Sequence, residues 1–214
     1  ATYTPGTNDL SSGTVTLTLT AYATPPCTTD GTDFMVLTID AATLVTADPS
    51  DQSACLGTGV SFSVTATGEG TLSYQWRKDG TNITGATNSS YNIASVSATD
   101  AGDYDCVVTG DCGDATSASA TLTIGTAATA NAGSDASICP TATYTLSGSA
   151  NGYSTIEWTS SGDGIFDDEN ILAATYTPGT NDLSSGTVTL TLTAYATPPC
   201  TTDGTDFMVL TIDA

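Results

Sequence analysis

Residues 74–106 read YQWRKDGTNITGATNSSYNIASVSATDAGDYDC, and this stretch decides the fold. Trp76 stands in a short strand-like run closed by Asp79-Gly80, a turn signal, so the indole is expected against an inter-sheet core. At the other end, DAGDYDC places Tyr104 two residues before Cys106, the arrangement in which a buried tyrosine returns its hydroxyl to the backbone at a strand corner. Working outward, VSFSVTATG, SYNIASV and SASATLTI alternate apolar and polar residues, and the same pattern recurs every 8 to 12 residues. No stretch carries a convincing helical period. The expected class is all-β: tandem Greek-key β-sandwiches with no significant helix.

The tryptophan strand and the tyrosine corner resemble the immunoglobulin-like repeats of large bacterial surface proteins, down to the wording YQWRKDGTNITGATNSSY. One departure matters. The strand that would carry the first core cysteine reads VSFSVTA, with Val64 at that place, so the usual inter-sheet bridge cannot form. The resemblance instead implies a bridge from Cys55 to Cys112 and leaves Cys106 as an unpaired thiol packed in the core as a small apolar side chain. Downstream, ANAGSDASIC, TYTLSGS, IEWTSSGDGIF, ATYTPGTNDLSSGTVTLTLTA and DFMVLTI resemble the PKD-like repeats that accompany such units in secreted adhesins of gliding bacteria. That resemblance implies a bridge from Cys139 to Cys200. Each of these bridges would close a loop of about 60 residues, worth roughly 4 kcal/mol in chain entropy.

Residues 1–41 recur without a change at 174–214, a period of 173 residues. Such self-similarity points to an array, here of independently folding units. The domain reading is therefore 1–41, a copy of the C-terminal half of a PKD-like domain; 42–126, immunoglobulin-like; and 127–214, PKD-like. Cys27 is the copy of Cys200, and its bridge is expected to an upstream repeat. Two sources of the repetition stand side by side: a window from a longer repetitive polypeptide, or a subunit completed by a neighbour's strands. Redundant strands make poor donors, which favours the window. The lack of an initiator Met, of a basic n-region and of an apolar run near 18 residues is read as a mature or excised segment without a membrane span.

Arg77 and Lys78 are the only basic residues against 23 acidic ones, a formal net charge of -21. Two adjacent cations cannot displace the counterions along a nucleic-acid backbone, and an anionic membrane surface is excluded on the same grounds. The acidity would keep a crowded polymer soluble, or recruit divalent cations. Thr makes up roughly a fifth of the residues, which suits exposed strand faces. Six cysteines without a histidine argue against zinc and against Cys-His catalysis, and for disulfides in an oxidising compartment.

No nucleophile-and-base pair or paired carboxylates in a pocket stand out, so no catalytic residue is assigned. The candidate for a metal is SSGDGIFDDEN, where Asp163, Asp167, Asp168 and Glu169 offer hard oxygen ligands for Ca²⁺ without the spacing of an EF-hand loop. The alternative is a solvated hairpin tip. The pairs Asp30/Asp33 and Asp203/Asp206 read as turns, and Trp158 as a core residue. Sequons at Asn82 and Asn88 fall in an exposed loop. Apart from possible Ca²⁺, no cofactor is expected. The expected function is a structural repeat of an extracellular filament or cell-surface stalk, its partner being adjacent repeats or subunits. The rival is an adhesin module that binds a glycan or a partner cell surface.

Overall fold

The structure is a computed structural model and describes residues 1–213. Helix α1 (Thr7–Ser12) precedes strands β1 (Thr14–Ala21) and β2 (Gly31–Thr38). Next come β3 (Leu44–Ala47), β4 (Gln52–Cys55), β5 (Val60–Ser63), β6 (Thr65–Thr67), β7 (Ser73–Lys78), β8 (Thr81–Asn82) and β9 (Ser90–Ile93). After a 3-10 turn at Ala98–Asp100 follow β10 (Gly102–Gly110), β11 (Gly113–Thr116), β12 (Ala120–Gly125) and β13 (Thr129–Asn131). Short strands β14 (Ala136–Ile138), β15 (Tyr144–Thr145) and β16 (Ser149–Asn151) lead to β17 (Tyr153–Ser160), β18 (Ile165–Phe166) and β19 (Thr175–Thr177). The chain closes with helix α2 (Thr180–Ser185), β20 (Thr187–Ala196) and β21 (Gly204–Ile212). The protein is all-β apart from these two short helices, where no helical period had been expected. Each is one and a half turns of TNDLSS, started by the third-position aspartate accepting the preceding glycine's N–H and stopped by a glycine with φ near +70°.

The strands form the orders β4-β12-β10-β7-β8, with β11 on β10, and β14-β21-β20-β17, together with β15-β19-β18 and the two-stranded sheets β1-β2, β3-β6, β5-β9 and β13-β16. Two compact units result: residues 1–50, 61–91 and 103–120 make the first, and residues 51–60, 92–102 and 121–214 the second.

In the first unit β7 and β10 run antiparallel with Trp76 opposite Cys106. Trp76, Tyr104, Phe62 and Val108 are buried. Phe62 stacks on Tyr104 with ring centroids 4.7 Å apart, and Tyr91 lies 6.0 Å from Tyr104. Burying Trp76 would strand its N–H, and the main-chain oxygen of Asn88 accepts it at 2.9 Å. On the outer face Arg77 forms a two-pronged pair with Asp105, its cross-strand neighbour, at 2.7 Å per prong.

The second unit has its core between the long strands β17, β20 and β21 and the short strands facing them. Leu146, Ile156, Trp158, Tyr176, Leu190, Leu192, Met208 and Leu210 are all buried there. Two of its pairings are parallel: β14 lies on β21, with Ile138 opposite Ile212, and β4 lies on β12, with Cys55 opposite Gly125. First and last strands thus become neighbours, the feature that decides which cysteines can meet.

Candidate functional site

The acidic segment at 163–169 was the sequence's candidate metal site, and the structure spends its carboxylates differently. Asp163 accepts the backbone N–H groups of Asn181 and Asp182 and the hydroxyl of Thr180, so it sits on the first turn of α2. Partial desolvation works against its charge, yet these donors hold its pKa below the usual carboxylate value. Asp167 accepts the N–H groups of Thr175 at 2.6 Å and Asp168 at 2.8 Å, and the Thr175 contact lowers its pKa most. Asp168 in turn accepts the N–H of Asn170. Among the described residues no three acidic, Cys or His side chains converge in a way that could hold a metal ion. Asp163, Asp167, Asp168 and Glu169 are therefore not gathered into one ligand set, because backbone donors pull three of them to separate turns.

The residue that sequence reading missed is Asp182. It is 1% exposed and accepts four donors: the hydroxyl of Tyr176 at 2.7 Å, and the N–H groups of Gly179, Gly164 and Asp163 at 2.9, 3.0 and 3.3 Å. Tyr176 also meets the Ser160 hydroxyl at 2.7 Å. Burial first, and then the Asp182 carboxylate, push the Tyr176 hydroxyl up to about 12. The glycines of SSGDG explain themselves here. A Cβ at Gly162 would stand 1.6 Å from Asp182 Oδ1, and one at Gly164 would stand 2.3 Å from the Tyr176 oxygen. What reads as a flexible loop is a close approach of backbone to a buried carboxylate.

The cysteines are paired otherwise than the family resemblances imply. Cys55 is bonded to Cys200, with Cα atoms 4.9 Å apart, and Cys27, Cys106, Cys112 and Cys139 are free. The expected Cys139–Cys200 bridge fails on the parallel pairing of β14 with β21. Cys139 follows Ile138, which is opposite Ile212 at the end of β21, whereas Cys200 precedes Gly204 at its start. The length of β21 separates them, roughly 25 Å at about 3.3 Å per residue, against a bridging limit near 7 Å. The expected Cys55–Cys112 bridge is likewise not formed, since Cys55 is bonded to Cys200 and Cys112 is free and exposed. Gly125 makes the observed bond possible, since a Cβ there would stand 2.8 Å from Pro199 and 3.3 Å from the Cys200 sulfur. Cys106 is fully buried, and desolvation raises its thiol pKa. Cys27, expected to bond an upstream repeat, is exposed.

The identical segments 1–41 and 174–214 fold alike but are covered differently. The β1–β2 pair has Leu17 opposite Met35 and Leu19 opposite Asp33; the β20–β21 pair has Leu190 opposite Met208 and Leu192 opposite Asp206. Leu192 is 0% exposed and Leu19 75%; Met208 is 1% exposed and Met35 57%. Phe207 and Phe34, on the opposite side of each hairpin, are exposed in both copies, at 61% and 69%. One face of the first hairpin thus lacks the cover that the second has.

Residues 44–109 match the family model of the immunoglobulin domain. No curated protein matches the chain. Among solved structures, the I-band fragment I67–I69 of titin superposes with a TM-score of 0.53 at 16% identity, covering 80% of this chain and 66% of that fragment. The D1–D2 segment of Rst gives 0.54 at 15% identity, over 80% of this chain and all of that one. The chain is therefore all-β, with an immunoglobulin-like domain at residues 44–109 and the fold of tandem immunoglobulin-like domains. Its helices are too short to cross a membrane among the described residues.

Proposed function

We propose that the chain is a structural repeat of an extracellular filament or cell-surface stalk, built from disulfide-linked β-sandwiches in which an immunoglobulin-like module (42–126) alternates with a PKD-like module (127–214). The observation that carries this reading is the 41-residue segment that recurs unchanged at a 173-residue period and adopts the same strand register both times. A sequence that repeats its own fold at a fixed period is suited to linear growth. The Cys55–Cys200 bond supports the reading, because a disulfide suits a chain that works in an oxidising compartment. The net charge of -21 supports it too, keeping crowded strands apart in solution. The I-band fragment I67–I69 of titin shares the fold. The reading requires neither a cofactor nor a catalytic residue.

The test is the intact mass of the native material after denaturation, without and then with reducing agent. Masses of many 173-residue units in both conditions are expected. A native species near 21.4 kDa refutes the reading.

A further inference from the structure

From the uncovered face of the first hairpin we infer that β1–β2 is a docking surface for a second copy of residues 42–173 of this sequence, and that Cys27 bonds to Cys55 of that copy. The inference deepens the filament reading by naming what each repeat grips. Two independent features specify the same occupant.

The first is the apolar face. Leu17, Leu19, Met35 and Leu37 correspond to Leu190, Leu192, Met208 and Leu210, all four of which are buried in one core cluster with Leu146, Ile156 and Trp158 of residues 127–173, whereas Leu19 and Met35 are exposed and Leu17 and Leu37 half-buried. Polar groups of this face lack the partners that their copies in the second hairpin have. Asp206 accepts the Ala132 N–H at 2.9 Å, and Val209 donates its N–H to Asp135 at 2.8 Å; among the described residues the Asp33 carboxylate accepts the N–H of its neighbour Phe34 alone. Asp182 takes N–H donors from Asp163 and Gly164, while its counterpart Asp9 is left with Tyr3 and Gly6. The hairpin's own contacts are the same in both copies, for Asp30 accepts Ala23 N–H as Asp203 accepts Ala196 N–H, each at 2.8 Å. What differs is the set of groups that residues 127–173 supply. Phe34 and Phe207 show that the outer side needs no cover in either copy.

The second feature is the thiol. Cys200 is bonded to Cys55, and Cys27 occupies its place in the repeat with an exposed, free sulfur. A further copy of residues 42–173 would bring both the cover and its Cys55 to that sulfur. The bond forms by thiol–disulfide exchange: two thiols and one oxidised glutathione give the Cys27–Cys55 disulfide and two reduced glutathiones.

The test is a chain with a further copy of residues 42–173 placed before Ala1, folded in a glutathione buffer and compared with the 214-residue chain. Non-reducing peptide mapping is expected to show Cys27 linked to the added copy's Cys55. Leu19→Ala is expected to raise the unfolding equilibrium constant on the order of a hundredfold in the extended chain and to leave the 214-residue chain almost unchanged. A Cys27 still open to alkylation, with a silent Leu19→Ala in the extended chain, overturns the inference. So does an extended chain that fails to fold while the shorter one folds, and so does a dimer of the 214-residue chain that protects Leu19 and Cys27 by itself. The filament reading is tested by the mass of native material, so the two fail separately.

Discussion

Leu19 and Leu192 offer a matched pair for measuring what burial contributes in this fold. Both sit in the same eight-residue context, TVTLTLTA, and in the same hairpin register, so propensity and turn effects cancel between them. Leu192 is 0% exposed, opposite Trp158 on β17, and packs so closely that a Cβ added at Gly148 would lie 3.1 Å from its Cδ2. Truncation to alanine removes buried methyl groups and leaves a cavity that its packed neighbours cannot refill, a cost of about 3 kcal/mol, within the 2 to 5 typical of such sites. That is about two orders of magnitude in the unfolding equilibrium. Leu19 is 75% exposed, and the same change there falls within about 0.5 kcal/mol. Urea denaturation of both variants, followed by tryptophan fluorescence and circular dichroism, measures the difference. Equal losses for the two variants, or a Leu192→Ala cost below about 0.5 kcal/mol, would refute the reasoning.

Thiol labelling of the folded, unreduced protein should reach Cys27, Cys112 and Cys139 at once and Cys106 only after denaturant is added, since Cys106 is buried and its thiol pKa is raised; four labelled sites before denaturation would contradict the core placement. Tyr176 is neutral when protonated, and its folded-state pKa of about 12 lies above the unfolded value near 10. Its contribution to stability is thus complete below pH 10 and disappears as pH rises toward 12, and Tyr176→Phe should remove that alkaline slope in a pH-dependent melting series. Asp163 and Asp167 have lowered pKa values, so their contribution is present above pH 4 and is lost on acidification through those lowered values. Asp163→Asn should flatten the acid limb, and added Ca²⁺ should not shift the melting temperature of either protein.

Much of the fold can be read directly from residues. Alternation and turn residues locate the strands that hold Phe62, Trp76, Tyr104 and Trp158, because a half-buried strand must alternate whatever its partner. The partners themselves are another matter. That β14 lies parallel on β21, and β4 on β12, depends on long-range packing that no local pattern encodes, and those two pairings decide which cysteines meet. Asp182 was hidden for a related reason. TNDLSS carries no helical period in the sequence, and nothing local shows that its aspartate is buried against the glycines of SSGDG. The same glycines suggested a mobile metal loop, since a residue chosen for absence of bulk and one chosen for flexibility have the same letter.

The Cys55–Cys200 bond has a mechanical consequence. When such a chain is pulled at its ends, force runs from residue 1 to Cys55, crosses the two sulfurs and leaves through residues 200–214. Residues 56–199, including β7, β10, β17 and β20, lie off the loaded path. The bond spans 145 residues, and at about 3.4 Å per residue it withholds roughly 500 Å of chain from extension. A pulled repeat therefore lengthens little while oxidised, and reduction releases that slack, so the redox state sets how far each repeat can stretch.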